Sequence, residues 1–278
     1  MKSTNERTRS LKALSAAPSS SSREDPLTVQ SVEKAFRVLT AFDGAHPTMG
    51  LTQLAAAVDL DKSAAQRFTH TLMKLGYLRK DPDTKRFELT AKTLDIGYHY
   101  TRANLLVERA LPYLLHLSKT TEETINLTVQ DDTEIIFVSR FMSRHVLKND
   151  VIIGTRMPAY CTSNGIAILS RLPRDQARDI LKRSDLRAFT PHTTFRMGDL
   201  LKKLDLSAAR GYATAFEEFY HGDLSVAAAI LDQNRRPLGA INIAVSRARF
   251  SPKEAEARFS PLVVAAALSI SQISNPRR

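Results

Sequence analysis

A single cysteine, Cys161, excludes any intrachain disulfide and points to a reducing compartment. No apolar run is long enough to span a bilayer, and the start of the chain lacks the apolar core of a secretory signal. The expectation is a soluble, cytoplasmic protein. Metal chemistry finds no support: the seven histidines are scattered, none three or four positions from another, and HExxH, CxxC and P-loop patterns are missing. Tyr160-Cys161-Thr162-Ser163-Asn164-Gly165 is not a GxSxG nucleophile elbow. Glu217 and Glu218 are adjacent, and neighbours on a strand point to opposite faces, so they cannot act jointly. Dithiol redox chemistry needs a second thiol. Hence no catalytic residue, metal or cofactor is expected, and enzyme is the disfavoured class.

What the chain does have is an ordinary globular balance, 43% apolar and 25% charged residues over 278 positions, enough for two domains of usual size. Its net charge of +11 is spread out: +2 in residues 1–25, +3 in 26–92 and +6 beyond. Overall basicity is therefore weak evidence for nucleic acid, and local clusters carry the argument. Residues 1–25 are rich in serine and charge with few large apolar side chains, the composition of a disordered tail.

The densest pattern lies between Leu51 and Phe87. Leu51, Leu54, Ala55 and Val58 recur at helical spacing, and Asp59-Leu60-Asp61 interrupts them. A second helix begins at Lys62, with Ala65, Phe68, Leu72 and Leu75 on its inner side and Ser63, Gln66, Arg67, His70 and Lys74 on the other. Gly76 supplies the left-handed residue that ends a helix. Tyr77-Leu78 and Arg86 to Leu89 then flank Asp81-Pro82-Asp83-Thr84, a turn between two short strands. Before this module, Ser31 is placed to cap a helix whose stripe is Val32, Ala35, Phe36 and Leu39. Two helices across a tight turn followed by a hairpin form a winged helix-turn-helix, whose second helix would enter the major groove of DNA. A solvated charged face, or a surface that docks protein, would use similar helices. The hairpin favours DNA: from residue 62 to 86, Lys62, Arg67, Lys74, Arg79, Lys80, Lys85 and Arg86 stand against only Asp81 and Asp83. Candidate DNA-contacting residues are Lys62, Ser63, Gln66, Arg67, His70, Lys80, Lys85 and Arg86.

Gln30 to Ala35, Leu54-Ala55, Lys62 to Arg67 and Gly76-Tyr77-Leu78 follow, in order and spacing, the DNA-binding module of IclR-type transcriptional regulators, and the chain resembles that family over about nine-tenths of its length. One departure falls in the turn, where Asp59 stands in place of the usual glycine; aspartate is among the few residues that tolerate a positive φ.

Downstream, residues 92–119 are helical with a break expected near Leu111-Pro112. Leu94, Gly97, Tyr98 and Thr101 would face one partner, and Leu105, Leu106, Leu114, Leu115 and Leu117 another. The pattern fits a helix packed on its own chain as well as a linker; the resemblance implies a linker that also pairs with its copy in a dimer or dimer of dimers. From Glu123 strands alternate with helices: Ile125 to Val129, Ile135 to Val138, Val151 to Ile153, Tyr212 to Phe216, Leu224 to Leu231 and Gly239 to Val245 read as strands, and Ser163 to Leu172, Arg174 to Lys182, Leu200 to Arg210 and Ser251 to Ile273 as helices. That is an α+β domain, and the resemblance makes it GAF-like and effector-binding. The expected organisation is a tail at 1–25, a winged helix-turn-helix at 26–90, linker helices at 91–122 and a GAF-like ligand-binding domain at 123–278.

Gly154 to Gly165, then Gly211-Tyr212-Ala213 with Glu217-Glu218 and Gly222, and Gly239 to Ala244 resemble the blocks around the family's effector pocket. Carried across, they give Met157, Ser163, Asn164, Ala215, Ser225, Asn242 and Ala244 as lining. Ala215 replaces an acid, Ser225 a cysteine, and Asn242 and Ala244 two serines of regulators that bind very small oxo-acids. The string Pro158 to Ser163 is closer to the branch governing breakdown of aromatic acids such as protocatechuate and 4-hydroxybenzoate. A ligand carboxylate would rest on backbone N–H groups at the start of the Ser163 helix, helped by Asn242, with Arg156 the nearest cation in sequence. Cys161 and Tyr160 read as packing residues. The expected partners are double-stranded operator DNA, a small carboxylate effector and a second copy of the chain; the alternative is a GAF-like small-molecule-binding protein whose helical module docks protein.

Overall fold

The computed structural model describes residues 27–144 and 151–274, so the tail expected at 1–25 lies outside the described residues. Two compact units divide between Tyr100 and Thr101.

The first unit opens with α1 (Gln30–Thr40). Val29 stands at its N-cap position with no side-chain cap, so Ser31 is inside the helix and caps nothing. The expected stripe also shifts. The core takes only the C-terminal part of the helix and the two residues beyond it, through Val38, Leu39, Ala41 and Phe42, while Val32 and Phe36 stay about half exposed. Next come α2 (Leu51–Ala57) and α3 (Lys62–Lys74). Asp59 adopts φ 53° in the turn between them, the left-handed conformation that its position requires. Asp61 then caps α3, its carboxylate accepting the Ala64 N–H at 2.8 Å.

Ala65, Thr69 and Leu72 form the buried side of α3, and Thr69 satisfies its hydroxyl on the Ala65 carbonyl at 2.9 Å. Leu75, expected inside, lies beyond the helix end and is exposed. At Gly76, φ 81°, the chain reverses; Tyr77 N–H bonds back to Leu72 O and Gly76 N–H to Met73 O, closing the helix end. Strands β1 (Leu78–Lys80) and β2 (Phe87–Leu89) pair antiparallel to make the wing. A bridge from Met49 to Phe87 fastens it to the helices.

A 3₁₀ turn (Ala91–Thr93), α4 (Leu94–Ala103) and α5 (Leu105–Thr121) come next. The break falls at Asn104, not at Pro112. Asn104 Oδ1 accepts the N–H groups of Leu106 and Val107, starting a new helix. Proline costs α5 one backbone hydrogen bond, but Ala110, Leu114 and Leu117 on either side of it are buried and hold the helix through.

The second unit is built on one six-stranded antiparallel sheet in the order β5-β4-β3-β8-β7-β6. Its strands are β3 (Thr124–Asp131), β4 (Glu134–Phe141), β5 (Arg156–Pro158), β6 (Ala213–Phe216), β7 (Asp223–Leu231) and β8 (Pro237–Ser246). Alternation sorts the side chains to two faces. Ile125, Leu127, Leu224, Val226, Ile241 and Ile243 pack under α5 and α9 (Pro252–Ser274). The opposite face meets α6 (Ser163–Leu169), α7 (Arg174–Arg183) and α8 (Met197–Arg210). Val151 to Ile153, expected as a strand, is a turn instead: Gly154 N–H reaches Phe137 O at 2.8 Å, and the strand begins only at Arg156. Two sides of helix enclose one sheet, so the architecture is α+β as expected.

Candidate functional site

The first unit carries its polar residues on one side of α3. Ser63, Gln66, Arg67 and His70 are exposed and line a groove with Lys80 and Phe87 of the wing. Lys62 is exposed at the first turn of the same helix. Lys80 Nζ lies over the Phe87 ring at 5.3 Å, which holds its charge beside the helix. Lys85 sits at φ 57° at the wing tip, exposed, with Nζ on Pro82 O at 2.6 Å. The tip itself is preformed: Asp81 accepts Thr84 N–H and hydroxyl at 2.7 and 2.8 Å, bonds that hold its carboxyl below the usual range.

Arg86 does not join this outward set. Its guanidinium donates to Thr48 Oγ1 (2.8 Å), Thr48 O (2.6 Å) and Gln53 Oε1 (3.1 Å), tying the wing to the start of α2. Arg79 is likewise engaged, paired with Glu88 across the hairpin. Of the wing's cations, Lys80 and Lys85 face out, Arg79 is exposed but paired within the hairpin, and Arg86 alone ties the wing to the rest of the fold.

In the second unit all seven carried-over positions line one cavity of about 50 Å³, between the sheet and the Met157–Asn164 segment. Met157 comes from β5, Ser163 and Asn164 from the start of α6, Ala215 from β6, Ser225 from β7, and Asn242 and Ala244 from β8. Register explains the convergence: Ser225 lies opposite both Ala215 and Ala244 in the ladder.

A continuous polar row crosses the floor. Arg140 Nη1 donates to Asn126 Oδ1 (3.1 Å), Asn126 Nδ2 to Asn242 Oδ1 (2.9 Å), and Asn242 Nδ2 to Ser225 Oγ (2.5 Å). Ser225 Oγ and Ser163 Oγ share a bond of 2.6 Å, and Asn164 Nδ2 donates to Thr128 Oγ1 at 2.8 Å. Buried polar groups satisfied in this way fix one geometry for the cavity floor. Close packing fixes the α6 wall: a Cβ on Gly165 would come within 2.1 Å of Ala159 O, so only glycine fits there.

Three expectations change. Arg156 points away from the cavity, paired with Asp131 and Glu134 on the surface. The cation in the wall is Arg140, accompanied by the acids Glu218 and Asp223. The start of α6 is also less available than expected: Thr162 Oγ1 accepts the Gly165 N–H, and Asn242 already spends an amide hydrogen on Ser225. Sequence reading missed Arg140, Asp223 and Asn126. A signal for Asn126 existed, since Asn126 and Thr128 alternate with Ile125 and Leu127 in a strand that is buried on both faces.

Tyr160 packs as expected, and Cys161 is buried in the same core while also bordering the cavity. The Tyr160 hydroxyl bridges the Arg187 carbonyl and N–H at 2.7 and 3.0 Å. Burial pushes the Cys161 thiol well up, leaving it neutral and unreactive. Glu217 and Glu218 lie beyond β6, so the strand argument does not apply; they diverge all the same. Glu217 accepts Gly222 N–H at 2.9 Å, and Glu218 pairs with Lys203 and takes Thr194 N–H at 3.1 Å. Among the described residues no cluster of metal-ligating side chains exists, and no helix is long and apolar enough to cross a membrane.

Comparison with known proteins agrees with both units. Residues 31–82 match the IclR helix-turn-helix domain, and residues 98–272 match the bacterial transcriptional regulator IclR C-terminal domain. The Pca regulon regulatory protein of Pseudomonas putida is 30% identical over 87% of this chain and 83% of its own. A Rhodococcus sp. RHA1 protein described as a transcriptional regulator superposes with a TM-score of 0.79 at 31% identity, over 88% of this chain and 98% of that one. An IclR homolog of Microbacterium hydrocarbonoxydans, solved in complex with 4-hydroxybenzoate, has the same fold, with a TM-score of 0.75 at 18% identity over 88% of this chain and 98% of that one. The chain belongs to the IclR family of DNA-binding transcriptional regulators.

Proposed function

We propose that this regulator reads its operator with α3, Gln66 and Arg67 meeting base edges, while Lys80 and Lys85 of the wing rest on phosphates or in the minor groove. Lys62, Ser63 and His70 complete the contact surface. The observation that carries this reading is the outward row on α3 facing Lys80 across one groove. Arginine pairs with guanine in the major groove through two parallel bonds, and lysine supplies sequence-independent phosphate attraction. In a gel-shift titration at fixed salt, Arg67→Ala costs about 1–3 kcal/mol on the cognate site and relaxes its specificity. Lys85→Ala weakens all sequences alike and lowers the salt slope by about one. Operator affinity unchanged in Arg67→Ala would contradict the assignment of α3; a chain that binds no DNA from its own upstream region would favour a protein-docking role.

The second unit is the sensor, and a small carboxylate, of the aromatic-acid class, is its ligand. Supporting this are the name of the Pseudomonas relative and the 4-hydroxybenzoate bound by the Microbacterium protein. The neutral rim of Ser163, Asn164, Ser225 and Asn242 and the small floor of Ala215 and Ala244 suit a ring. A cavity of about 50 Å³ does not yet hold one, since benzene needs a space on the order of 150 Å³. Ligand entry therefore displaces the wall, with Met157 and Phe219 the adaptable and bulky parts of it. That displacement is the event a sensor can transmit. The protein works in the cytoplasm without catalysis, as a homodimer or dimer of dimers, because one helix-turn-helix covers a single half-site.

A further inference from the structure

The polar row leaves two charged side chains of the cavity only partly accounted for. Arg140 lies near the end of β4 and Asp223 at the start of β7, and both line the cavity. Each has one buried atom without a hydrogen-bond partner, Arg140 Nε and Asp223 Oδ1. The arginine atom alone says little, since Nε of Arg37 and Arg210 is in the same condition away from this cavity. The carboxylate oxygen says more. It is the one buried side-chain acceptor among the described residues left without a donor.

Two residues of one cavity wall thus hold an unmet acceptor and an unmet donor, both closed off by the present packing; a ligand that displaces the wall and pairs them is complementary, because buried polar groups are ordinarily paired. A neutral O–H donor meets that acceptor without adding a second positive charge beside Arg140. The arginine, in turn, is the cation that an acid entering this cavity would meet, and its guanidinium matches a carboxylate through paired N–H groups. Burial pushes the Asp223 carboxyl up to about 7 and Arg140 pulls it back, so at slightly alkaline pH it is an ionised acceptor.

We infer that Arg140 and Asp223 read the effector at two points, Arg140 holding its carboxylate and Asp223 accepting a hydrogen bond from a hydroxyl on the same molecule. The effector is then a hydroxylated acid and not merely an acid. The inference rests on reading this cavity as the effector site.

Calorimetry at pH 8 with benzoate, 3-hydroxybenzoate and 4-hydroxybenzoate tests it on the full chain. At least one hydroxybenzoate binds wild type about tenfold or more tighter than benzoate, because a site built to pair a hydroxyl rejects the analogue without it. Asp223→Ala collapses that ratio to near one. Arg140→Met weakens benzoate and hydroxybenzoates by similar factors, and Arg140→Lys restores part of the loss. Circular dichroism confirms that each variant is folded. Asn242→Leu, which blocks the cavity floor, serves as the independent control and abolishes binding of all three acids. If that control behaves so while the hydroxyl preference survives Asp223→Ala, or no preference exists, the two-point reading is overturned and the cavity stands as the effector site. If no acid binds, or binding is unchanged in Asn242→Leu, both fall.

Discussion

Asp223 gives the molecule a pH signature of its own. Burial raises its folded pKa from 3.8 to about 7, with Arg140 opposing the rise. Between those values the native state holds a proton that the unfolded chain has released, so stability falls as pH rises through that window and levels off above about 7. The loss from this one group is at most about 4 kcal/mol. Asp223→Asn removes it. Scanning calorimetry in constant salt then finds matching melting temperatures for variant and wild type near pH 4 and a higher one for the variant at pH 8. An equal gap at both pH values would mean that the carboxyl is not held neutral. Such a residue is not legible from sequence: Asp223 opens a strand next to Gly222, among ordinary loop residues, and only the fold brings it to the cavity wall with one oxygen buried. Met157, Ser163, Asn164, Asn242 and Ala244 lie within the matched blocks, Ala215 and Ser225 fall between them, and the fold brings all seven around one cavity, with the ladder setting Ser225 beside Ala215 and Ala244.

The wing shows how an element divides labour among identical residue types. By count, its cations are equivalent, and the sequence assigns Arg86 to DNA together with Lys80 and Lys85. The fold gives Arg86 three hydrogen bonds to Thr48 and Gln53, whereas Lys85 reaches only a neighbouring turn carbonyl. Arg86→Ala leaves the Thr48 carbonyl and the Gln53 amide oxygen without that donor and costs about 1–3 kcal/mol of stability, with the salt slope of DNA binding unchanged. Lys85→Ala changes stability by less than about 0.5 kcal/mol. Thermal unfolding of the two variants, set beside their salt titrations, separates the roles; a stable Arg86→Ala with a reduced slope would return Arg86 to the phosphates. The helix breaks carry the same lesson. Proline at 112 is the stronger local signal, yet burial of Ala110, Leu114 and Leu117 overrides it, and Asn104 makes the break because its side chain completes a cap. In α1, periodicity marked Val32 and Phe36 correctly as apolar, but no partner within the described residues covers that early stretch, and they stay exposed.

At the scale of the whole molecule the question is what pairs two copies. Leu94, Ile96 and Tyr98 of α4 and Leu105 at the start of α5 are all more than half exposed. Single exposed apolar residues are ordinary, but Leu94 and Tyr98, one turn apart, share a face of α4, and that face is the candidate interaction surface. A second copy of this chain fits it by a separate argument. One recognition helix covers one half-site, and a two-fold pair of helices gains affinity on a palindromic operator by reading both half-sites at once. The net charge of +11 extends well beyond the first unit, so two positively charged chains must overcome mutual repulsion to associate. Association is therefore expected to strengthen with salt while operator binding weakens, which separates the two equilibria. Light scattering at micromolar concentration finds a dimer or larger species in wild type. Leu94→Glu combined with Tyr98→Glu shifts it to monomer and, with the winged unit folded, reduces affinity for a full operator far more than for an isolated half-site. A wild type that stays monomeric with and without DNA would remove the paired-helix reading, and an unaltered assembly in the double variant would move the seam away from α4.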